Sequence, residues 1–178
     1  MMEKIGHYAP DFEIPGIDDT VHHLARYLEK FQAVGVVMMC NHCPYVHLYV
    51  DRLKQIQTDF QSQGFTLIGI NANDEQQYPA DSFEKMKTFA QEKSLNFPYL
   101  RDVTQDVAQS FAAERTPEIF IINRSGIICY NGAVDDNPQN PGAVKVNYAR
   151  DAIAQLLSNQ TIVNSATSAI GCSVKWRK

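Results

Sequence analysis

An uninterrupted apolar run over residues 33–39 ends directly at a pair of cysteines, Cys40 and Cys43. The run does not alternate between apolar and polar residues, which predicts a central parallel strand covered on both faces. Apolar residues then recur at helical spacing over 46–60, so an amphipathic helix is predicted to begin at about Cys43. The C-x-x-C pair therefore lies at a strand-to-helix junction, within disulfide reach and at a helix N-terminus that stabilises a thiolate.

The size and charge of the chain limit the possible functions. Its 178 residues are enough for one domain, which we assign to residues 1–157, followed by a polar tail, 158–178, that packs on it. The net charge of −4, with no basic block, argues against a nucleic-acid partner. No apolar run reaches transmembrane length, and the first residues lack the pattern of a secretory signal. We therefore expect no membrane partner and a cytoplasmic location.

The remaining pattern alternates strands and helices. Asp81 and Glu84 are predicted to be an N-cap and its capping-box partner, opening a helix after a polar loop over 71–80. Further predicted elements are a strand over 65–70, an extended piece over 97–100, a helix with Val103, Val107 and Phe111 on its buried face, a β-hairpin over 118–130 and a helix over 147–157. This order predicts an α/β fold in which a parallel half joins an antiparallel half.

The cysteine pair favours redox chemistry over a structural or zinc site, because the chain has no second C-x-x-C motif. Cys40 is expected to occupy the exposed first position of the motif and is predicted to be the nucleophile, with Cys43 as the resolving thiol. A protonated His42 would favour the thiolate and hence the reduced form. A zinc or copper site made by Cys40, Cys43 and either His42 or His47 is the alternative of another class.

The cysteine motif and the Thr116-Pro117 pair just before a hairpin strand resemble the thioredoxin fold. The segment Ala9-Pro10-Asp11-Phe12 and the loop over 71–80 resemble the alkyl hydroperoxide reductase/thiol-specific antioxidant branch of that superfamily. The resemblance implies a thioredoxin-like fold with a central mixed sheet flanked by helices. It also implies a cis Thr116–Pro117 bond, with Pro117 facing Cys40.

The chain departs from these families at several positions. Val34 stands where thioredoxin has a buried acid, and Val36 and Val37 precede Cys40 without the Pro and Thr that mark peroxiredoxins. Pro117 stands where peroxiredoxins place an Arg, and Arg115 is two residues away. These departures rank disulfide exchange above a peroxiredoxin-like peroxidase, which remains the second enzymatic hypothesis.

The predicted site consists of a catalytic group and a substrate-binding group. The catalytic residues are Cys40, Cys43 and Pro117, and the substrate-binding residues are Asn41, His42, Pro44, Thr116 and Arg115. We assign no metal ligand and no cofactor. The expected partners are a disulfide-containing protein or small disulfide and a reductant of unknown identity. Cys129 and Cys172 are expected to lie outside the catalytic cycle, and Trp176 is expected to be partly buried.

Overall fold

The computed structural model describes residues 4–178 and contains a central five-stranded sheet. The strands are β1 (Glu13–Pro15), β2 (Val21–His23), β3 (Ala33–Met38), β4 (Phe65–Asn71), β5 (Tyr99–Arg101), β6 (Arg115–Thr116), β7 (Glu118–Asn123), β8 (Ile128–Gly132) and β9 (Cys172–Ser173). The helices are α1 (Leu24–Lys30), α2 (Pro44–Phe60), α3 (Phe83–Glu92), α4 (Asp106–Ser110) and α5 (Tyr148–Leu157). Within the described residues, no helix is long and apolar enough to span a membrane.

The sheet has the order β5-β4-β3-β7-β8, with β3 at its centre. Strands β3, β4 and β5 are parallel, whereas β7 is antiparallel to both β3 and β8. The predicted union of a parallel and an antiparallel half is therefore confirmed, as is the hairpin of β7 and β8.

Strand β3 is fully buried because its two faces enter two different apolar clusters. Ala33 and Val37 face one cluster, to which α2, α3 and α5 contribute side chains. Val34 and Val36 face the other, which includes residues of α1 and α4. This double burial explains the absence of alternation in the sequence. The prediction that Val103 lies on the buried face of a helix is wrong, because Val103 precedes α4 and is 50% exposed.

The antiparallel pairing of β3 with β7 brings two distant loops together. Met38, the last residue of β3, pairs with Glu118, the first residue of β7. The loop after β3 carries the cysteines, and the turn before β7 carries Thr116 and Pro117. The two loops therefore meet at one end of the sheet.

The buried carboxylate of Glu118 holds the turn before β7 in place. Its Oε1 accepts hydrogen bonds from the backbone N–H groups of Glu114 at 2.8 Å and Arg115 at 3.1 Å. Its Oε2 accepts from Asn131 Nδ2 at 2.9 Å and from the Lys4 ammonium at 3.3 Å. A carboxylate satisfies all four donors because it only accepts.

The substitution Glu118→Gln should lower the free energy of unfolding by about 1–3 kcal/mol. The amide nitrogen of Gln would replace one carboxylate oxygen, and the donors that this oxygen served would lose their acceptor. The midpoint and slope of urea unfolding measure the change. Glu29→Gln, at an exposed position of α1, is the matched control and should change the free energy by less than about 0.5 kcal/mol. Equal stability of the two variants would show that Glu118 does not fix the turn.

Candidate active site

The cysteine motif lies in the turn between β3 and α2. Cys43 is the N-cap residue of α2, and Pro44 occupies its first turn, where a missing N–H costs no helical hydrogen bond. Cys40 is 1% exposed and Cys43 is 0% exposed. The expectation that Cys40 occupies an exposed position is therefore wrong, because the loops and the tail described below cover both sulfurs.

The Thr116–Pro117 peptide bond is cis, as predicted, and it borders the cysteines. The hydroxyl of Thr116 lies 3.7 Å from Cys40 Sγ, and the Thr116 carbonyl oxygen lies 3.4 Å from Cys43 Sγ. Pro117 is buried in the same turn. Thr116 thus contacts both sulfurs, one through its side chain and the other through its backbone.

A buried carboxylate, Asp81, lies behind the cysteine loop. It is 0% exposed and accepts hydrogen bonds from Asn41 N at 2.7 Å, from Asn73 Nδ2 at 2.9 Å and from His42 Nδ1. The prediction that Asp81 caps α3 is wrong. Ser82 is the N-cap, since its Oγ accepts from Lys85 N at 3.2 Å. Asp81 and Ser82 are adjacent, and both residue types favour the N-cap position. Because a helix has one N-cap residue, this pair could have indicated that one of the two has another role.

His42 is held by two contacts in addition to its position in the loop. Its ring stacks on Tyr78 with 5.4 Å between centroids, and its Nδ1 contacts Asp81. The carboxylate offsets any positive charge on the ring, so His42 does not act on the thiols as an isolated cation. The side chain is 29% exposed and remains accessible to a partner.

Asn41 serves the loop rather than an open surface. Its Oδ1 accepts from the Tyr99 hydroxyl at 2.7 Å, and its Nδ2 donates to the Ala80 carbonyl at 3.0 Å. Its backbone carbonyl accepts from His47 Nε2 at 2.7 Å. Because these groups are already bonded, Asn41 has a positioning role in the loop, and its contact with a substrate stays a prediction.

Arg115, another of the five predicted substrate-binding residues, faces away from the sulfurs. Successive side chains of a strand point to opposite faces, and Thr116 is the residue of β6 that points to Cys40. Arg115 instead lines a groove of about 550 Å³ together with Glu114, Asn131 and residues 165–169 of the tail.

The C-terminal tail brings a third cysteine to the site. Strand β9 pairs antiparallel with β6, with Cys172 opposite Thr116. Cys172 Sγ lies 2.6 Å from Cys43 Sγ, and neither cysteine is in a disulfide. The sequence predicted only that Cys172 lies outside the catalytic cycle, and no local pattern connects it with Cys43, 129 residues earlier.

Mutual hydrogen bonding separates the pKa values of the two motif thiols. The pKa of Cys43 falls to about 4, chiefly because Cys40 donates a hydrogen bond to its sulfur, with burial opposing the shift and Cys172 reinforcing it. The pKa of Cys40 rises because it is hydrogen-bonded to Cys43, because it is buried and because Asp81 is negative. The lowered pKa favours ionisation of Cys43, whereas the order of the motif predicts Cys40 as the nucleophile.

Cys172 and Cys129 are weaker acids. Burial, together with the hydrogen bond to Cys43, raises the pKa of Cys172 to about 11. Burial also raises the pKa of Cys129, whose sulfur lies 3.4 Å from the Ile127 carbonyl on the hairpin. Within the described residues, Cys129 makes no hydrogen bond with Cys40, Cys43 or Cys172, as expected for a passive strand cysteine.

One group of possible metal ligands occurs in the described part of the chain, and it differs from the predicted sets. Ligand atoms of Cys40, His42 and Asp81 lie within 4.8 Å of one another. The His42 nitrogen nearest the carboxylate is already hydrogen-bonded to it. A metal ion bound there would have to replace that hydrogen bond.

Comparison with known proteins assigns the fold and the family. An uncharacterized conserved protein from Geobacillus kaustophilus is 35% identical, with a TM-score of 0.92 over 99% of this chain and 94% of that one. Peroxidoxin BcpB from Mycobacterium tuberculosis has a TM-score of 0.69 at 19% identity, over 88% of this chain and 98% of that one. A thiol:disulfide interchange protein of the thioredoxin family from Chlorobium tepidum TLS has a TM-score of 0.66 at 19% identity, over 88% and 99%.

The two more distant structures confirm the predicted thioredoxin-like fold. No curated protein matches the chain. The model of the AhpC/TSA family matches residues 5–131, which include the cysteine motif, the Asp81 loop and the cis-proline turn. The chain therefore belongs to the AhpC/TSA family, within the redoxin branch of the thioredoxin fold.

Proposed function

We propose that the protein is a thiol-disulfide oxidoreductase that reduces a disulfide in a protein or small-molecule partner through Cys40 and Cys43. One observation carries the proposal: Cys43, whose pKa is lowered to about 4, lies at the start of α2 with its sulfur 3.4 Å from the Thr116 carbonyl oxygen, beside the cis Thr116–Pro117 bond. Only a thiolate attacks a disulfide at a useful rate, and the lowered pKa of Cys43 favours its thiolate at neutral pH.

The first step is attack by the Cys43 thiolate on one sulfur of the substrate disulfide. The substrate S–S bond breaks, a mixed disulfide forms on Cys43, and the departing substrate sulfur takes a proton from water. Cys40 then attacks Cys43 Sγ, which breaks the mixed disulfide and releases the second substrate sulfur. Cys40 gives up its proton as it attacks, and the leaving substrate sulfur takes up a proton in turn.

The products are a dithiol substrate and a Cys40–Cys43 disulfide, so two electrons and two protons have passed to the substrate. An external dithiol reductant restores the two thiols by the reverse exchange. The chemistry needs no metal or organic cofactor, because sulfur carries both electrons.

A peroxidase is the second candidate, and it is favoured by the family and by the Thr116 hydroxyl at 3.7 Å from Cys40 Sγ. Such a reaction transfers one oxygen of a peroxide to a thiolate and releases an alcohol or water. The leaving oxygen needs a positive or hydrogen-bonding group. Arg115 faces away from the sulfurs, and for this reason we rank peroxide reduction second.

Reduction of a peptide disulfide by the protein, with dithiothreitol as electron donor, tests the proposed function. Cys43→Ser and Cys40→Ser should each lower turnover by roughly a hundredfold or more, because the two sulfurs act as a unit. Cys129→Ser is the control and should be unchanged. Turnover retained by Cys43→Ser would reject the mechanism, and hydrogen peroxide consumed far faster than the peptide disulfide would establish the peroxidase instead.

The pH dependence of the reduced protein tests the position of the thiolate. A pKa lowered from 9.0 to about 4 stabilises the folded state fully above pH 9, and this contribution is lost as the pH falls to about 4. We therefore expect the stability difference between the wild type and Cys43→Ser to grow from pH 4 to pH 9 in urea unfolding. Thiolate absorbance should show one ionised sulfur at neutral pH that Cys43→Ser removes and Cys129→Ser keeps. An un-ionised wild type at pH 7 would contradict the assignment.

The charge of Asp81 should determine how acidic Cys40 is once Cys43 is removed. In a Cys43→Ser background, Asp81→Asn should increase the Cys40 thiolate at neutral pH by roughly tenfold, since the nearby negative charge opposes ionisation. The rate of iodoacetamide labelling of Cys40, mapped by mass spectrometry, measures the change. Asp51→Asn, whose side chain is 91% exposed on α2, is the control. Identical labelling rates in the two variants would remove Asp81 from the electrostatics of the site.

A further inference from the structure

We propose that Cys172 is a third redox-active cysteine, which forms a disulfide with Cys43 and so moves the oxidised bond from the motif to the tail. The inference rests on the proposed function for its place in a catalytic cycle. Its structural basis is independent, since Cys172 Sγ lies 2.6 Å from Cys43 Sγ, and Thr116 contacts the sulfurs of both Cys43 and Cys40. Cys43 is thus the central sulfur of three.

The backbone holds Cys172 in that position. Cys172 is opposite Thr116 and Ser173 is opposite Arg115 in the antiparallel pair β6–β9. Val174 N then donates to the Glu114 carbonyl at 3.0 Å, and the Val174 side chain is buried. Because the neighbouring residues of β9 hold its backbone, the Cys172 sulfur has few other positions available.

Gly171 allows the tail to approach the cis-proline turn closely. A Cβ atom on this residue would overlap the Thr116 carbonyl oxygen, and it would lie 2.6 Å from the Thr116 carbonyl carbon. Only glycine fits at this distance. Residue 171 therefore controls whether Cys172 reaches Cys43, without carrying any reactive group itself.

Lys175, downstream of Cys172, anchors the tail to Asn73 and Asp74, and Asn73 also binds Asp81. Lys175 N donates to Asn73 Oδ1 at 2.9 Å, and Asn73 Nδ2 donates to Asp81 at 2.9 Å. The Lys175 carbonyl accepts from Asp74 N at 2.9 Å and from Gln105 Nε2 at 3.0 Å. The segment that carries Cys172 is thus bound to the same network that shapes the cysteine loop.

The exchange step balances without a further reactant. When Cys40 and Cys43 form the disulfide, the Cys172 thiolate attacks Cys43 Sγ. The Cys40–Cys43 bond breaks, a Cys43–Cys172 bond forms, and Cys40 leaves as a thiolate that takes up the proton Cys172 released. No electron is gained or lost. The result is a disulfide that includes Cys172, which is less buried than either motif cysteine and so more accessible to a reductant.

Diamide oxidation of a Cys40→Ser variant tests the contact without requiring turnover. Diamide takes two electrons and two protons from a pair of thiols, leaving a disulfide. Trypsin places Cys43 in peptide 31–52, Cys129 in 125–145 and Cys172 in 151–175. In the monomer, we expect 31–52 linked to 151–175 in most molecules. A link to 125–145, or one found only in disulfide-linked dimers, would overturn the proposal.

Gly171→Ala in the same background tests whether β9 delivers the thiol. The added methyl group should lower the yield of the Cys43–Cys172 link at least severalfold, because it pushes the strand from Thr116. Gly142→Ala, in an exposed turn, is the matched control and should keep the link. An undiminished yield in Gly171→Ala would reject the strand-delivered mechanism.

The wild type shows whether the exchange belongs to the cycle. After oxidation, we expect both the linked peptides and an unlinked 31–52 peptide with an internal disulfide, and in the linked form Cys40 should be open to alkylation. Finding only the internal disulfide would overturn the catalytic role of Cys172. Failure of the proposed function would appear separately, as absent peptide-disulfide reduction with the diamide-induced link intact.

Discussion

The buried carboxylate of Asp81 is the interaction on which the geometry of the site depends. A charge with no exposure is tolerated only when donors surround it, and Asp81 has three, from Asn41, His42 and Asn73. Each donor belongs to a segment that the site needs. Asn41 and His42 form the cysteine loop, and Asn73 belongs to the segment that binds the tail. Loss of the carboxylate would leave several buried donors without an acceptor.

The same carboxylate influences the chemistry of the thiols. Its negative charge opposes ionisation of Cys40, whereas the hydrogen bond from Cys40 favours ionisation of Cys43. Both effects therefore favour ionisation of Cys43 over that of Cys40. Thioredoxin has a buried acid at the position that Val34 occupies in this chain. Asp81 supplies a buried carboxylate from another segment.

The local sequence pattern was sufficient for the elements but not for the contacts between them. The run over 33–39, the helical spacing after Cys43 and the turn between β7 and β8 each depend on neighbouring residues, and each was predicted. The cis bond before Pro117 followed from the resemblance. Asp81 lies 39 residues from His42, and Cys172 lies 129 residues from Cys43. No periodicity links such positions, so only the folded chain shows that they meet.

The position of β9 also constrains how a partner enters the site. An extended substrate strand would pair with the backbone of Thr116, which Cys172 already occupies. The pairing involves only two residues of β6, and each hydrogen bond contributes about 0.5–1.5 kcal/mol. The tail is covalently joined to the domain, so it competes for this backbone at an effective concentration that is roughly millimolar for a short linker. An extended partner that pairs with Thr116 would therefore first have to displace β9, in which Cys172 lies opposite Thr116.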